Sequence, residues 1–392
     1  MKILFTAFAL MSETSLQAGS PWAVLWAGPG LLISSLMIAW GAEATQFFLA
    51  QGIALAFLAL LQTLPEFAAE AIFAWHRETP LLFASLTGAL MLLTGIGWPM
   101  IYFSAATAYR RKHKRPMRLI RLEEQQAVQI ISLFAGIAYE LLVWWKGSLN
   151  IFDGVMLIGI YAAYLWIMTR LPPEEAETLD EIKGVPRAIV LASRPVRIAA
   201  IVGLFVVGGA AVFLVADPFL RGLFGLSMLI GVSRFQFVQW IYPLVSEAPE
   251  GISAFYWARD PARASIALMN LVSSNINQWT LLAALLPVVL SMSLGHATAI
   301  PLDATQSRDV LLALSQSLLG TLFLVNMELA WWEAVGLFVL FAISLGTGGE
   351  VRVYVTWVNL AWCAVEGVRL IVGNRKAAAL RHFRDILFRA EK

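Results

Sequence analysis

Apolar stretches recur from one end of the chain to the other, separated by short polar or basic loops. A hydrocarbon core about 30 Å thick is crossed by roughly 20 helical residues. On that measure the pattern predicts helices over 22–47, 51–75, 80–106, 124–146 and 151–170. It predicts five more over 197–223, 231–257, 263–293, 307–328 and 332–346, and a further apolar stretch from Val351 to Val372. The expected architecture is an all-α polytopic membrane protein with about ten core spans and an eleventh. Residues 1–20 precede the first span and carry one lysine, an apolar run from Ile3 to Met11 and the small residues Ala18 and Gly19, which are the cues of a cleaved leader. The first half is 21–171, the second 197–347, and 348–392 holds the extra helix and a basic tail. The stretch 172–196, with Pro172, Pro173, several acids and Pro186, is the linker between the halves.

Composition agrees with a membrane solvent. Of 392 residues, 59% are hydrophobic and 14% charged, with a mean hydropathy of +0.73; a soluble domain carries roughly 25% charged residues. A net charge of +2 is too small for nucleic-acid binding, and Cys363, the one cysteine, forms no internal disulfide.

The basic residues matter through their position. Lys and Arg in short loops are retained in the cytoplasm, and they cluster at Arg110, Arg111, Lys112, Lys114, Arg115, Arg118 and Arg121, and again at Lys183, Arg187, Arg194 and Arg197. That places the N-terminus outside, while an eleventh helix returns Arg375, Lys376, Arg381, Arg384 and Arg389 to the inside. Because each half has an odd number of spans, the halves enter the membrane in opposite senses, as an inverted repeat.

Two segments at equivalent positions carry the chemistry. The second span of the first half contains Leu61-Gln62-Thr63-Leu64-Pro65-Glu66-Phe67-Ala68-Ala69-Glu70, and that of the other half Val245-Ser246-Glu247-Ala248-Pro249-Glu250-Gly251. Proline removes a backbone donor, and a glutamate in hydrocarbon costs on the order of 2 to 3 kcal/mol or more. Together they predict a broken helix with freed carbonyl oxygens beside a carboxylate, the hard oxygen ligands that Na⁺ and Ca²⁺ prefer. The other reading is a proline kink beside a structural glutamate; it accounts for one such site better than for two.

These segments resemble the alpha repeats of the calcium/cation antiporter superfamily, whose repeat contains Gly-Thr-Ser-x-Pro-Glu. Ala267-Leu268-Met269-Asn270-Leu271-Val272-Ser273-Ser274-Asn275-Ile276 is similar to that family's Gly-Asn-x-x-Gly-Ser-Asn-Ile. Phe152-Asp153-Gly154, followed by Leu157, Tyr161 and Tyr164, resembles the start of its fifth helix, with Trp332-Glu333-Ala334 as a weaker counterpart. The resemblance spans about residues 25–347. It implies ten core helices, with the second, third, seventh and eighth lining a midplane site and the first and sixth sliding past them. It implies Glu66 and Glu250 as central metal-binding carboxylates and Ser274 as a ligand of the eighth helix. Thr63 and Ser246 remain as hydroxyl candidates, although the hydroxyl pair and leading glycine of the motif are otherwise replaced.

Independently, Asn270, Ser274, Asn277 and Gln278 form one polar stripe on a helix, either as cation ligands or as glue to a neighbouring helix. Asn275 points elsewhere and is expected to brace backbone. The third span, Leu81 to Trp98, has only Ser85, Thr87 and Thr94 as polar residues. Its Ala84, Gly88, Met91 and Gly95 read as a packing face.

Glu70 follows Glu66 by one turn and Glu247 precedes Glu250 by one turn. Four carboxylates at close range cannot all stay ionised without cations, which favours proton coupling or proton competition. The alternative is that Glu70 and Glu247 reach the interfaces or pair with Arg77 or Arg234. Glu140, Glu328 and Glu333 lie beside Trp144, Trp145, Trp331 and Trp332 and are expected at the interface. The four histidines have no metal-ligand spacing.

The expected function is a secondary antiporter, exchanging Ca²⁺ or another cation for protons or sodium, with no cofactor beyond the transported ion and no catalytic residues. The competing reading is a transport-inactive cation-binding membrane protein. No intramembrane enzyme motif occurs within the spans. The tail from Asn374 is expected as an amphipathic helix contacting anionic lipid, and the short linker favours a bacterial inner membrane.

Overall fold

A computed structural model describes residues 17–45, 63–171, 184–345 and 349–389. The leader cues up to Leu16, the first part of the second span with Gln62, and the acidic centre of the linker lie outside the described residues. Helix α1 is Ala23–Thr45 and α2 is Leu64–Trp75. The third span is α3, Thr79–Leu92, a π-helical turn at Leu93–Gly97, and α4, Trp98–His113. Strand β1 (Leu119–Arg121) precedes α5 (Ala127–Lys146), and β2 (Ser148–Leu149) precedes α6 (Ile151–Met168).

In the second half, α7 (Gly184–Leu191) lies within the stretch read as linker, and α8 runs from Arg194 to Leu229, longer at both ends than its apolar core. The seventh span is broken into α9 (Arg234–Trp240), α10 (Tyr242–Ser246) and α11 (Ala248–Ala258). The eighth is α12 (Ala264–Asn277), a second π-helical turn at Gln278–Leu282, and α13 (Ala283–Leu294). Then come β3 (Ile300–Pro301), α14 (Ala304–Leu324), β4 (Glu328–Ala330), α15 (Trp331–Leu345), α16 (Gly349–Ile371) and α17 (Ala378–Arg389). Six of the described helical segments are long and apolar enough to cross a membrane. The seventh span escapes that test because it is interrupted.

Burial separates a core from a periphery. In the third and eighth spans 89% and 72% of the most apolar stretch is buried inside the protein, against 39% in α1 and 11% in α8. The last two pack along each other, and small residues bring them close: a Cβ on Gly208 would lie 3.1 Å from the carbonyl oxygen of Ser34. The expected packing face of the third span is present. Gly88 meets the backbone of Gln239 so closely that a Cβ would come within 2.0 Å of its carbonyl oxygen, Gly95 abuts Phe341, and the Met91 carbonyl accepts from Gln316 at 2.9 Å.

The inverted relation of the halves is visible in equivalent details. Both π-helical turns occur in the span that follows a Pro-Glu motif, and a π-turn inserts one residue and re-aims the side chains around it. Strand β1, before α5, pairs antiparallel with β4, before α15. Strand β2, after α5, pairs with β3, which joins the eighth and ninth spans. Two ribbons therefore clamp opposite ends of α5 to the other repeat. Residues 325–328, read from hydropathy as helix, instead turn through Met327 at φ +64° and enter β4, because Ile120 and Leu329 are aligned in the ribbon.

The fifth and tenth spans begin alike. Asp153 accepts the backbone N–H of Asn150 at 2.8 Å and Glu333 accepts that of Ala330 at 2.8 Å, so each acid caps its helix. Lys146 donates to Asp153 at 2.5 Å. Arg375 plays the matching part for Glu333, at 2.6 Å, and also donates to Glu366 at 2.7 Å and to the carbonyl of Phe323 at 2.5 Å. Glu333 is thus buried and paired rather than exposed at an interface, because the chain returns after α16 and inserts an arginine beside it. Beyond Arg375, α17 is amphipathic as expected and docks on α5; Ala379 donates its backbone N–H to the Val325 carbonyl at 2.9 Å. Leu380, Arg381 and Phe388 remain exposed.

Arg375→Ala would leave the buried Glu333 without its basic partner, while Glu366 keeps Arg369, a loss of about 3 to 5 kcal/mol. Thermal unfolding in detergent should show it as a clearly lowered midpoint, whereas Arg381→Ala on the exposed face should leave the midpoint unchanged. Equal midpoints for both variants would mean that the buried cluster contributes nothing to stability.

Candidate functional site

Each Pro-Glu motif stands at a helix start. Pro65 lies in the first turn of α2 and Pro249 in the first turn of α11, where a missing N–H leaves no helical bond unmade. Glu66 and Glu250 follow within that same first turn, so each carboxylate sits at the positive end of a helix dipole. The break expected in the seventh span is present: α10 ends at Ser246, Glu247 is the junction, and α11 begins at Ala248.

Glu66, Glu70, Glu247 and Glu250 are all buried, at 1%, 0%, 3% and 1% exposure. They form one cluster, with Glu66 within electrostatic reach of each of the other three. Ser274 donates to Glu250 at 2.5 Å, the Gln278 amide donates to Glu247, and Asn277 donates to the hydroxyl of Thr63. Ser246 faces Glu66, and Ser85 of the third span faces Glu70. Both oxygens of Glu66 and Glu70 and one each of Glu247 and Glu250 are buried without a hydrogen-bond donor. Among the described residues, no lysine or arginine forms an ion pair with any of the four.

An unpaired carboxylate in a low-dielectric interior costs several kcal/mol. Such a cluster holds together only when cations or protons neutralise it. Among the described residues, no three His, Cys, Asp or Glu side chains are disposed to hold a metal ion by themselves. A metal cation here would rest on a pair of carboxylates and on neutral oxygens, the donor set that Glu66, Glu250, Ser246, Ser274 and Gln278 provide.

The structure thus brings together Glu66, Glu70, Glu247, Glu250, Thr63, Ser246, Ser274 and Gln278. Glu70 and Glu247 face the cluster; Arg77 instead donates to the Ser293 carbonyl and Arg234 lies over the Phe224 ring. Asn270 stands one turn from Ser274, in a crevice it shares with Gln125, Gln126, Gln129 and Ser273, whose lining residues include no acid. Asn275 donates to the hydroxyl of Thr94 at 3.2 Å rather than to backbone, because the π-helical turn of the third span packs on α12. Glu140 is buried in the last turns of α5, at 5% exposure, beside Lys146 and Asp153. It does not reach an interface because α6 and α14 cover it.

One residue escaped the sequence reading. The Tyr242 hydroxyl donates to the carbonyl of Pro65 at 2.8 Å, joining the two motifs directly. Its position one turn before Ser246, in an otherwise apolar stretch, was the available signal.

Comparison with known proteins places this geometry in a family. The family model described as sodium/calcium exchanger protein matches residues 19–170 and 200–347, the two halves flanking the linker. The crystal structure of the H⁺/Ca²⁺ exchanger CAX is 30% identical, with a TM-score of 0.85 over 98% of this chain and 94% of that one. Structures of the sodium-calcium exchanger NCX_Mj share the fold at lower identity. One soaked with Na⁺ and Ca²⁺ is 17% identical with a TM-score of 0.54, and one soaked with Na⁺ and Sr²⁺ is 18% identical with a TM-score of 0.56. Each covers 83% of this chain and 97% of its own. No curated protein sequence matches. A family match over both halves, on two inverted five-helix repeats, makes the chain a member of the sodium/calcium exchanger protein family, a multi-pass membrane protein of cation antiport.

Proposed function

We propose that the chain exchanges Ca²⁺ for protons by alternating access around the four-carboxylate cluster. The observation that carries this reading is a set of buried, mutually facing acids with no ion pair to a base among the described residues. One Ca²⁺ neutralises two carboxylates, and protons on the others keep the site close to neutral. Replacing the divalent ion by protons preserves that balance, so the site can turn between the two faces in either loaded form without carrying a large buried charge. The third span adds no acid and no asparagine, which leaves few neutral ligands for separate sodium sites. The 30% identity with an H⁺/Ca²⁺ exchanger over nearly the whole chain supports protons over sodium. The loosely embedded pair α1 and α8, in contact through small residues, suits elements that slide against a rigid core.

Glu66 and Glu250 are the metal carboxylates of this proposal, with Ser246, Ser274 and Gln278 as neutral ligands. Thr63 and Asn277 position the start of α2. Glu70 and Glu247 are its proton-exchanging groups. The distribution of bases places Arg110–Arg121 and the tail in the cytoplasm of a bacterial inner-membrane protein, with the N-terminus outside.

Uptake of ⁴⁵Ca²⁺ into proteoliposomes under an imposed pH gradient tests the core of the proposal. Glu66→Gln and Glu250→Gln should each reduce uptake roughly tenfold or more, equivalent to about 1.4 kcal/mol in cation binding. Uptake driven by a sodium gradient alone would overturn proton coupling. Calcium binding to folded protein without flux under either gradient would instead establish a transport-inactive binder.

The apparent affinity for Ca²⁺ should weaken as pH falls, because protons compete for the same oxygens. Glu70→Gln and Glu247→Gln should each flatten that dependence; transport constant from about pH 6 to 9, with both variants silent, would remove the two acids from the mechanism. For the orientation, a fluorescent reporter fused after Lys392 in a bacterial host should glow, and an export-dependent phosphatase there should be inactive. The opposite pair of results would invert the topology.

A further inference from the structure

A groove between the third and seventh spans divides into an apolar part and a basic part. The apolar part is a cavity of about 280 Å³ walled by Leu92, Ile96, Met100, Leu244 and Ile252, and its inner end reaches Glu247 and Gly251. Met100 and Phe255 line both this cavity and the next, so the groove continues toward the helix ends. There it opens into a recess of about 900 Å³ whose walls include Ser104, Arg111, Lys112 and Arg259, with no acid among its lining residues. Phe103 and Phe255, both about two-fifths exposed at 41% and 40%, flank the opening.

This division does not suit a cation path. A cation approaching Glu247 from this end would first meet three positive side chains and then a wall almost without polar atoms. The same arrangement matches a molecule with an anionic head and an alkyl chain. The bases select the charge, the hydroxyl of Ser104 offers a donor, and the apolar cavity takes the chain. At the end of a membrane span, where bases gather beside the leaflet surface, such a molecule is an anionic glycerophospholipid.

We infer that the groove between the third and seventh spans is a specific binding site for an anionic phospholipid, its phosphate at Arg111, Lys112 and Arg259 and one acyl chain running inward to Leu244 and Glu247. The lipid then forms part of the wall between the cation cluster and the bilayer. It packs where the broken seventh span faces the third, so its occupancy bears on how these two spans are spaced. The site stands on groove shape and charge alone and does not depend on which cations the protein exchanges.

Native mass spectrometry of the full-length protein, released from detergent with phosphatidylglycerol or phosphatidylcholine of the same acyl chains, reads the site directly. Phosphatidylglycerol should be retained in preference by about fivefold or more. The preference should fall to parity in Arg111→Gln/Lys112→Gln/Arg259→Gln and survive in Arg381→Gln/Arg384→Gln, which removes bases from the tail helix. Equal loss in both variants would show a diffuse charge effect and overturn the site. Ile252→Trp, which fills the apolar part and leaves every base in place, should lower retention of the lipid; unchanged retention would likewise overturn it, even if the triple variant fails to fold. Full displacement of the lipid by millimolar inorganic phosphate would reduce the groove to a simple anion site and reject the acyl-chain assignment.

Discussion

Four carboxylates buried in the middle of a membrane protein, with no lysine or arginine among the described residues in an ion pair with them, are the constraint around which the rest of the structure is arranged. In an apolar interior such a cluster repels itself and loses its hydration, so it persists only where the fold supplies oriented dipoles and neutral donors and where cations or protons complete the charge balance. The chain meets this with two helix starts aimed into the cluster, with serine and amide donors from the eighth span, and with a tyrosine that ties one Pro-Glu segment to the other. Proline at each helix start is what allows the backbone to break there without leaving helical bonds unmade.

The surrounding frame is rigid where the cluster needs it and loose where movement is useful. The third and eighth spans, each with a π-helical turn, are deeply buried, and glycines let them approach their neighbours almost at backbone contact. Antiparallel ribbons at both ends of α5 bind one repeat to the other. By contrast α1 and α8 lie mostly outside this core, in contact chiefly with each other. A moving pair against a clamped core is the mechanical counterpart of alternating access.

The C-terminal region is built into that frame. Arg375 reaches back from beyond the eleventh helix to complete the cap of the tenth, as Lys146 completes the cap of the fifth from within its own repeat. The second repeat therefore borrows from outside its borders what the first supplies internally. Removing the region beyond α15 would expose the buried acid of that cap.

The sequence by itself determined the membrane class, the number of spans, the inverted relation of the halves and the residues around which the site is built. These follow from hydropathy and from the expense of placing proline and glutamate in an apolar span, both readable one residue at a time. Glu66, Glu70, Glu247, Glu250, Ser274 and Gln278 belong to that legible part. Tertiary structure alone decided what depends on partners distant in the chain. It turned Glu333 and Glu140 from expected interfacial acids into buried ones, because Arg375 and the cover of α6 and α14 come from elsewhere in sequence. It put Asn270 in a crevice with Gln125, Gln126 and Gln129 and gave Asn275 the hydroxyl of Thr94 as a partner, because both sets of neighbours come from spans distant in the chain. It converted the end of the ninth helix into a strand, because a ribbon partner some two hundred residues earlier offers hydrogen bonds that no local pattern announces.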